Sequence, residues 1–580
     1  MCKILNYPKI MKEIMRPTKM LFLVAVMLVA AVLPATAADF EVDEIAYNVI
    51  GENQVEVTKR DSVRYAGEVI IPATVTHEGT TYQVTRIGNS AFSNNTELTL
   101  VEIPEGVTEI GDYSFGYCRN LQNIDLPNSM ISLGKDAFSG CYSFTSFHIP
   151  RNLASVEYDT FCYLTNLAYY TCSTLNKYFK VVDGVLYSKD MTTIVAYPPA
   201  APATTFDVPN TVTRVHEYCF CSSSNLVTVN FPESLTWIGM NIFRECKGLV
   251  EVDIPDGVTY MGVTVFGGCS NLERVHLPAS LDSIMNSTFS DCDKLTEITI
   301  PRNVSYIDEQ GFINADNLKT ITVEEGSRLK KIGPYAFRDC RSLEYFDMQD
   351  SVTSIGNGCF YDCRSLRSVH MSRNLQEIGE SVFWNCSSLL EGEIPGNVPK
   401  IRGVFFNCPA MKKVTFGSKD GTPGSTILGY ACVALCQQVE YLEFGANIDS
   451  LETYALNGLN NLKRVICWAT VPPGTDGNNR SFDPAPQNMN AVLYVPKASL
   501  EAYRTTGDWK NFKTIASIED LGDVDGDGMI KVSDVTALLG QLLNSDGVDH
   551  MEMPLADVNL DGVINVADVT MLINKLLNEE

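Results

Sequence analysis

Apolar and polar positions recur along this chain with a fixed spacing of 23 residues. Residues 231–253, 254–276 and 277–299 read FPESLTWIGMNIFRECKGLVEVD, IPDGVTYMGVTVFGGCSNLERVH and LPASLDSIMNSTFSDCDKLTEIT, with apolar residues in the same slots. A fixed period of this size is typical of a solenoid, in which each repeat buries its apolar side only against its neighbours. The pattern therefore predicts a repeat solenoid over residues 86–468.

Each repeat contains two predicted strands. In LERVHLP, residues 272–278, Val275 and Leu277 face one side and Arg274 and His276 the other, and the proline ends the strand because it has no N–H to donate. The V-T-x-I-G segment predicts a second short strand. The A-F-x-x-C segment predicts a helical turn that places its phenylalanine in the core. Phenylalanine fills this slot thirteen times, at Phe92, Phe115, Phe138, Phe161, Phe220, Phe243, Phe266, Phe289, Phe312, Phe337, Phe360, Phe383 and Phe405.

Two segments outside the regular repeats have their own predicted roles. Residues 39–85 alternate apolar and polar positions about turn residues, which predicts β-hairpins at the place where a solenoid needs an N-terminal cap. Residues 176–210 interrupt the repeats, and they predict two short strands about a Ser-Lys-Asp turn followed by a return rich in proline and alanine. We therefore expect a β-rich cap and one insertion.

The repeats resemble the leucine-rich repeats of the BspA type, which occur in surface and secreted proteins of Bacteroidetes. The motif IPDGVTYMG-x₃-FGGC-x₂-L matches the repeat of that family almost slot by slot, over residues 71–466. The resemblance implies a leucine-rich repeat fold with one parallel β-strand per repeat, and a C-terminal cap at residues 469–519. It also implies that the array binds partners, which vary across the family.

The N-terminus predicts export. Met20–Leu33 is an apolar run of 14 residues that follows five basic residues and precedes a small-x-small pattern at residues 35–37. The run is too short to span a bilayer comfortably, so residues 1–37 are predicted to be a secretory signal peptide, with an uncleaved anchor as the alternative. We expect a secreted or cell-surface protein without a transmembrane span after removal of the signal.

Charge narrows the class of partner. The 580-residue chain has a formal net charge of −26, and this argues against nucleic acid as a partner because a phosphate backbone needs a basic face. Residues 521–580 hold twelve acidic and two basic residues. This acidic tail therefore needs an explanation of its own.

The cysteines follow the repeat. Nine of the eighteen lie three residues after the repeat phenylalanine, and an exported protein makes a disulfide framework the first alternative. The regular slot instead favours buried, inert thiols, because a small apolar residue ends every turn. The chain has no CxxC motif that would indicate a zinc or redox site.

Two near-duplicate acidic segments lie in the tail, 34 residues apart. Residues 523–534 read DVDGDGMIKVSD and residues 557–568 read DVNLDGVINVAD. Each has oxygen-bearing side chains at alternate positions, glycine at the sixth position and a carboxylate at the twelfth, which is the arrangement that Ca²⁺ requires. The tail is therefore predicted to bind two calcium ions, and its folding is predicted to depend on them.

A helix is predicted after each loop, at Val532–Asn544 and at residues 566–578, but none before it. This duplicated half of an EF-hand, over residues 521–580, resembles a type I dockerin domain, a small all-α module that binds a cohesin on another protein. The resemblance implies partner contacts at Val532, Ser533, Val566 and Ala567. It implies calcium ligation by Asp523, Asp525, Asp527, Met529, Asp534, Asp557, Asn559, Asp561, Val563, Asn565 and Asp568, with Met529 and Val563 using carbonyl oxygens. Lys531 departs from the usual Asn or Asp at the ninth position, which predicts either a weaker first site or one that uses water at this position.

The outward side of the predicted sheet is the candidate surface for a ligand. Its side chains are polar and mixed in charge, with isolated tyrosines only, so a protein ligand is favoured over a glycan; a merely solvated surface is the alternative. The candidate residues are Glu251, Asp253, Arg274, His276, Glu297, Tyr345 and Asp347.

No motif for catalysis was found, and no segment is left over for a catalytic domain. We therefore predict an exported, non-catalytic binding or adhesion protein whose tail docks to a scaffold that carries cohesin. Dockerins usually belong to enzymes of polysaccharide breakdown, so an accessory or enzymatic component of extracellular polysaccharide degradation is one alternative. A structural spacer is another.

Overall fold

The computed structural model describes residues 37–580, apart from residues 61–62, 420–424, 476, 479, 545–550, 552, 562 and 579–580. Nearly all of the predicted signal peptide lies outside the described residues. The chain divides into two compact units, whose described parts are residues 37–144, 148–161 and 175–177 in the first and residues 145–147, 162–174 and 178–578 in the second. In both units, strands one repeat apart pair in parallel, so the predicted solenoid is confirmed.

The L-x-x-V-x-I segment of each repeat forms a strand of what we call ladder 1. Alternation along each strand places one set of side chains in the core and the other outward, as in Val252 against Glu251 and Asp253. The strands are Gly67–Ile70, Leu98–Glu102, Ile124–Asp125, Ser146–Ile149, Tyr169–Cys172, Thr205–Asp207, Thr228–Asn230, Glu251–Asp253, Arg274–His276, Glu297–Ile300, Thr320–Val323, Tyr345–Asp347, Ser368–His370, Glu391–Ile394, Lys413–Phe416, Tyr441–Phe444, Arg464–Cys467, Val492–Val495 and Thr514–Ser517.

The V-T-x-I-G segment forms the shorter strands of ladder 2, and the predicted second strand of each repeat is thereby found. Glycine follows many of these strands because the backbone of the preceding repeat lies too close for a side chain. A Cβ on Gly262 would lie 2.5 Å from the backbone nitrogen of Met240. The strands are Glu109–Ile110, Ser132–Leu133, Ser155–Val156, Arg214–Val215, Trp237–Ile238, Tyr260–Met261, Ser283–Ile284, Tyr306–Ile307, Lys331–Ile332, Ser354–Ile355, Glu377–Ile378, Lys400–Ile401, Thr426–Leu428 and Ile448–Leu451.

The A-F-x-x-C segment differs locally from the predicted helical turn, because it forms consecutive β-turns. The N–H groups of Asn241, Phe243 and Glu245 donate to carbonyls of the next repeat at 2.8–3.0 Å. Cys246 N instead donates to Phe243 O within its own turn. Asn241 and Glu245 have positive φ angles of 57° and 61°, which no α-helix tolerates. Later repeats extend this segment into short strands: Phe383–Trp384, Phe405–Phe406, Val433–Ala434, Leu456–Asn457 and Phe482–Asp483.

The repeat phenylalanines form a stack of rings in the core. Twelve of the thirteen are buried, and Phe161 is half-buried. Within residues 92–138 and 220–405, consecutive rings lie 5.0–5.6 Å apart between centroids with interplanar angles of 2–20°. Each ring therefore fills the space that the rings of the adjacent repeats leave open.

The cysteine after each repeat phenylalanine has a specific bonding role. All seventeen cysteines that the structure describes are free, and sixteen of them are buried. Each of the nine repeat cysteines directs its Sγ at the carbonyl oxygen of the phenylalanine one repeat earlier, at 2.9–3.2 Å. Burial raises the pKa of the Cys269 thiol, as it does in the neighbouring repeats, so these thiols stay protonated and unreactive.

Irregular strands precede and interrupt the ladders. The N-terminal strands Phe40–Val42, Ile45–Gly51 and Gln54–Thr58 form an antiparallel meander, and Thr74–His77 pairs antiparallel with Thr80–Ile87. Strand Thr80–Ile87 then pairs in parallel with the first ladder-2 strand, which joins the meander to the repeats. The insertion contains Phe179–Val182, Val185–Ser188 and Thr193–Ala196 in two antiparallel pairs.

Helices are confined to the C-terminal end of the described chain. Beside the last ladder-1 strands lie the α-helix Leu500–Thr505 and the 3₁₀ turns Pro486–Asn488, Lys497–Ser499 and Trp509–Asn511. The acidic tail contains the helices Val532–Asn544 and Val566–Leu577 and the 3₁₀ turn Pro554–Ala556, and the two helices start where the sequence predicts. Among the described residues, no helix is both long and apolar enough to cross a membrane.

We predict that replacing one phenylalanine of the stack strongly destabilises the folded repeats. Phe266→Ala is expected to cost about 3–5 kcal/mol of the free energy of unfolding, because a fully buried ring leaves a cavity between two others. Urea denaturation followed by tryptophan fluorescence measures this cost.

The matched control is Phe406→Ala. This half-buried ring stacks on Trp384 outside the core, so its loss should cost less than half as much. Equal costs for the two changes would contradict the central role of the buried stack.

Candidate functional site

The first acidic loop brings three carboxylates together. One oxygen from each of Asp523, Asp525 and Asp527 lies within 4.8 Å of the others. Backbone N–H groups of the loop donate to them: Gly528 N to Asp523 Oδ2 at 2.9 Å and Met529 N to Asp527 Oδ1 at 3.0 Å. These bonds hold the loop closed around the carboxylate oxygens.

The second loop repeats this arrangement with a different set. Oxygens of Asp557, Asp561 and Asp568 lie within 4.8 Å of one another. Asp561 N donates both to Asp557 Oδ1 at 3.0 Å and to Asn559 Oδ1 at 2.8 Å, and Val563 N donates to Asp561 Oδ1 at 2.8 Å. The duplication seen in the sequence is therefore present in the fold.

A cation fits the first loop on structural grounds. Asp523 is 6% exposed, and its Oδ1 has no hydrogen-bond partner in the described structure. A buried carboxylate oxygen without a partner is costly, and a cation held between three carboxylates removes both that cost and their mutual repulsion. Hard divalent cations such as Ca²⁺ prefer this all-oxygen donor set.

The carboxylates at the twelfth position brace the loops. Asp534 is fully buried: its Oδ1 accepts N–H groups of Val524 and Asp525, and its Oδ2 accepts that of Lys531, at 2.7–3.0 Å. Asp568 accepts N–H groups of its own loop in the same way. Asp568 also belongs to the oxygen cluster of its loop, whereas Asp534 lies outside the cluster of the first loop.

The residues at the ninth position of the two loops make contacts within the tail. The Asn565 side chain caps the following helix by accepting Ala567 N at 2.7 Å, and its amide nitrogen donates to the carbonyl of Val563 at 3.1 Å. At the equivalent position of the first loop, Lys531 Nζ pairs with Asp527 Oδ2 at 2.7 Å. Lys531 thus places a cation on a carboxylate that belongs to the oxygen cluster of the first loop.

The residues predicted to contact a partner are exposed on matching helices. Val532 and Val566 are 74% and 69% exposed, and Ser533 and Ala567 beside them are also exposed. The opposite sides of the two helices bury Leu538, Val569 and Leu572 in the small core of the tail. The apolar side chains Leu543 and Leu577 at the helix ends are exposed as well, so an apolar surface faces solvent on both helices.

The candidate ligand face of ladder 1 is only partly open. Strand register brings Arg274 beside Glu251, with which it forms an ion pair, and His276 beside Asp253. Asp347 Oδ1 lies 2.9 Å from His370 Nδ1. Asp253, His276, Glu297 and Tyr345 are exposed on this face.

A more strongly organised part of ladder 1 lies closer to the C-terminus, where the sequence analysis named no site. Glu443 is 5% exposed and accepts hydrogen bonds from Tyr441 Oη and from Trp468 Nε1, the latter at 2.8 Å. The ammonium of Lys419 lies 3.4 Å from Glu443 and over the Trp468 ring. Lys413 lies over the Tyr441 ring, with its Nζ 5.2 Å from the centroid.

A cavity of about 530 Å³ adjoins this cluster. Glu393, Lys413, Lys419 and Glu443 line it, together with Arg373. The altered spacing of the last repeats conceals this cluster in the sequence. The signal that remains is the polar and aromatic character of the outward slots at residues 441, 443 and 464.

The pKa of Glu443 bears on catalysis in this cavity. Burial raises the pKa of Glu443, but the hydrogen bonds from Tyr441 and Trp468 and the charge of Lys419 outweigh burial and hold the pKa below its usual value. Hydrolysis of a glycosidic bond requires a carboxylic acid with a raised pKa as proton donor. Glu443 is therefore suited to organising the cluster and unsuited to donating a proton.

The comparisons with known proteins agree with these geometries. The family model described as BspA type Leucine rich repeat region matches residues 80–194, 200–319, 306–422 and 402–472, and the Dockerin type I domain matches residues 521–577. No curated protein matches the chain.

Several solved structures are similar to it. A leucine-rich repeat protein from Bacteroides ovatus is 26% identical, with 62% of this chain and 95% of that chain covered and a TM-score of 0.38. One from Eubacterium ventriosum is 20% identical, with 59% and 92% covered and a TM-score of 0.42. A leucine-rich cell surface protein from Faecalibacterium prausnitzii is 20% identical, with 57% and 94% covered and a TM-score of 0.34.

The family models together account for the ladders and for the acidic loops. The repeat model covers more than half of the chain, with the phenylalanine stack inside its limits, and the second model covers both loops and both tail helices. The chain belongs to the BspA-type leucine-rich repeat family and contains a type I dockerin domain at residues 521–577.

Proposed function

We propose that this protein is an exported, non-catalytic binding protein whose repeats recognise a ligand and whose tail docks, with two bound calcium ions, to a cohesin-bearing scaffold. The observation that carries the proposal is the duplicated tail: two oxygen-lined loops, each followed by a helix that exposes the equivalent residues Val532 and Val566. Without cations the crowded carboxylates of each loop repel one another, so bound calcium is expected to hold this surface in order.

The repeats supply the second binding surface. Their core slots are fully occupied by apolar side chains, so recognition is left to the outward residues of ladder 1. The exposed side chains Asp253, His276, Glu297 and Tyr345 mix charge with one aromatic group, which suits a polar protein surface. Export is supported by the sequence of residues 1–37.

We predict that the double variant Asp523→Ala, Asp557→Ala abolishes docking of the tail while the repeats stay folded. Each change removes the first carboxylate of one loop, and the remaining carboxylates no longer form a complete set for calcium. Calcium-dependent capture of the full-length chain by an immobilised cohesin module measures docking, and thermal unfolding followed by circular dichroism measures the fold of the repeats.

Asp253→Ala, His276→Ala is the matched control, since it changes two exposed residues of ladder 1 and leaves both loops intact. It should leave cohesin capture unchanged. Full capture of the Asp523→Ala, Asp557→Ala variant by cohesin would contradict the proposed docking role. A partner retained by the tail variant but lost from the ladder variant would be the ligand of the repeats.

We predict that Lys531→Asn strengthens calcium binding at the first loop. The change removes the ammonium that pairs with Asp527 at 2.7 Å and restores an oxygen donor at the ninth position. Titration calorimetry of the full-length chain should show a higher affinity, by about threefold or more, for one of two sites, because the change removes a competing cation and adds an oxygen ligand.

Lys575→Asn is the control for loss of positive charge in the tail, because its Nζ donates to the carbonyl of Leu521 and pairs with no loop carboxylate in the described structure. Unchanged affinity in the Lys531→Asn variant would contradict the view that Lys531 competes with calcium.

A further inference from the structure

The acidic tail packs onto the outward side of the last ladder-1 strands. Along Arg464–Cys467 and Val492–Val495, alternate residues Val465, Cys467, Leu493 and Val495 face the core of the repeats. The intervening residues Ile466, Val492 and Tyr494 form a separate buried cluster with Ala516 and Leu521, and the tail residues Met551, Leu555 and Leu560 pack against it.

Polar contacts fix this packing. Tyr494 Oη donates to the carbonyl of Pro554, directly before the second calcium loop, at 2.8 Å. Gly522 N donates to the carbonyl of Leu555 at 2.8 Å, which joins the start of the tail to the same segment. The second loop is therefore held against the repeats.

Arg464 is the charged group of this interface. Its side chain is 13% exposed, and the guanidinium lies over the Tyr441 ring with Cζ 4.2 Å from the centroid. Its Nη1 lies 3.9 Å from Oδ2 of Asp557, which is 1% exposed, and Asp561 also acts on its charge. Its Nε and Nη1 have no hydrogen-bond partner in the described structure.

Burial lowers the pKa of the Arg464 guanidinium, and the charge of Asp557 opposes that shift. An arginine keeps its proton even so. A buried cation next to the second loop is thus balanced mainly by carboxylates that belong to the loop.

Comparison of the two loops shows which oxygen Arg464 faces. In each loop the first aspartate uses one oxygen to accept a backbone N–H: Asp523 Oδ2 from Gly528 and Asp557 Oδ1 from Asp561. The remaining oxygen of Asp523 is the buried one without a partner, which suits a cation. In the second loop, Arg464 faces Oδ2 of the first aspartate, Asp557.

We propose that Arg464 of the repeats couples two events: packing of the tail on ladder 1 and calcium binding in the second loop. Each of the two weakens the other. This inference rests on the proposed calcium-dependent function. Without calcium, Arg464 balances Asp557 and helps to hold the tail on ladder 1. Calcium at Asp557 and Asp561 brings a divalent cation against a buried guanidinium, and the two charges repel each other.

The coupling works in both directions. If Arg464 weakens calcium binding at the second loop while the tail is packed on ladder 1, then calcium must weaken that packing by the same factor. The tail is therefore most firmly packed on the repeats when calcium is scarce, and it is loosened when calcium occupies the second loop.

The test isolates the second loop in the full-length chain. Asp523→Ala removes the first aspartate of the first loop, and calcium titration then reports the second loop alone. In this background Arg464→Met, which keeps most of the side-chain volume, should raise the calcium affinity about tenfold or more, because a divalent and a monovalent charge at contact distance interact strongly even in a polar medium.

Lys463→Met is the matched control. Lys463 is the adjacent residue and carries the same charge. Its Nζ pairs with Glu440 at 3.0 Å rather than with a carboxylate of the tail. It should leave the affinity within about twofold, since it lies away from the loop. Arg464→Gln, a second neutral variant, guards against a packing defect, and thermal unfolding checks that each variant is folded.

The outcomes separate this inference from the proposed function. Absence of calcium binding by the unmodified chain would overturn both. Normal calcium binding with unchanged or lower affinity in both Arg464 variants would overturn the coupling alone. An equal gain in the Lys463 control would show an effect of net charge and would also overturn it.

Discussion

A single repeat of this protein cannot bury its own phenylalanine. Each ring lies between the rings of two other repeats at a little over 5 Å, so the core exists only as a stack. The backbone obeys the same constraint, since the N–H groups of the turn donate to the next repeat and the cysteine thiol donates to the previous one. The interior slots are consequently restricted to apolar residues, whereas the outward positions vary in polarity and charge.

That constraint explains which features the sequence predicts well. Phe266 and Val275 occupy slots that recur in every repeat, so the ring stack, the strands and the start of both tail helices could be read directly from spacing. The left-handed residues Asn241 and Glu245 carry no such signal, because many residue types fill those slots, and the turns were therefore expected to be helical. The hydrogen bond from the Cys269 thiol to the carbonyl of Phe243 could not be predicted either, since it joins two repeats across 26 residues.

Arg464 and Glu443 show where prediction from one sequence stops. Both occupy outward slots of ladder 1, for which spacing predicts exposure, yet both are largely buried in the structure. Glu443 is covered by Tyr441, Trp468 and Lys419, and Arg464 by the tail. A contact between segments that belong to different patterns has no period of its own, so only the three-dimensional structure reveals it.

Aromatic rows on the outer surface do not change the class of ligand that ladder 1 favours. Tyr361, Trp384 and Phe406 stand one behind another on the turn side, with centroids 5.8 and 3.7 Å apart and ring planes within 10°. Arg338 also lies over the Tyr361 ring, with its Cζ 5.1 Å from the centroid. Sugars stack on open ring faces, but here the faces are occupied by one another. The row therefore stabilises adjacent turns, and polar side chains remain the recognition elements.

The packing of the tail on ladder 1 constrains both binding surfaces. Ladder 1 offers outward side chains along the repeats, but at Ile466, Val492 and Tyr494 these positions are already covered by the chain itself. A ligand of the repeats thus meets an open face that ends near Tyr441 and Glu443, beside the cavity. Val532 and Val566 stay exposed while the tail is packed. The packing therefore leaves accessible the two residues through which the tail is proposed to contact its partner.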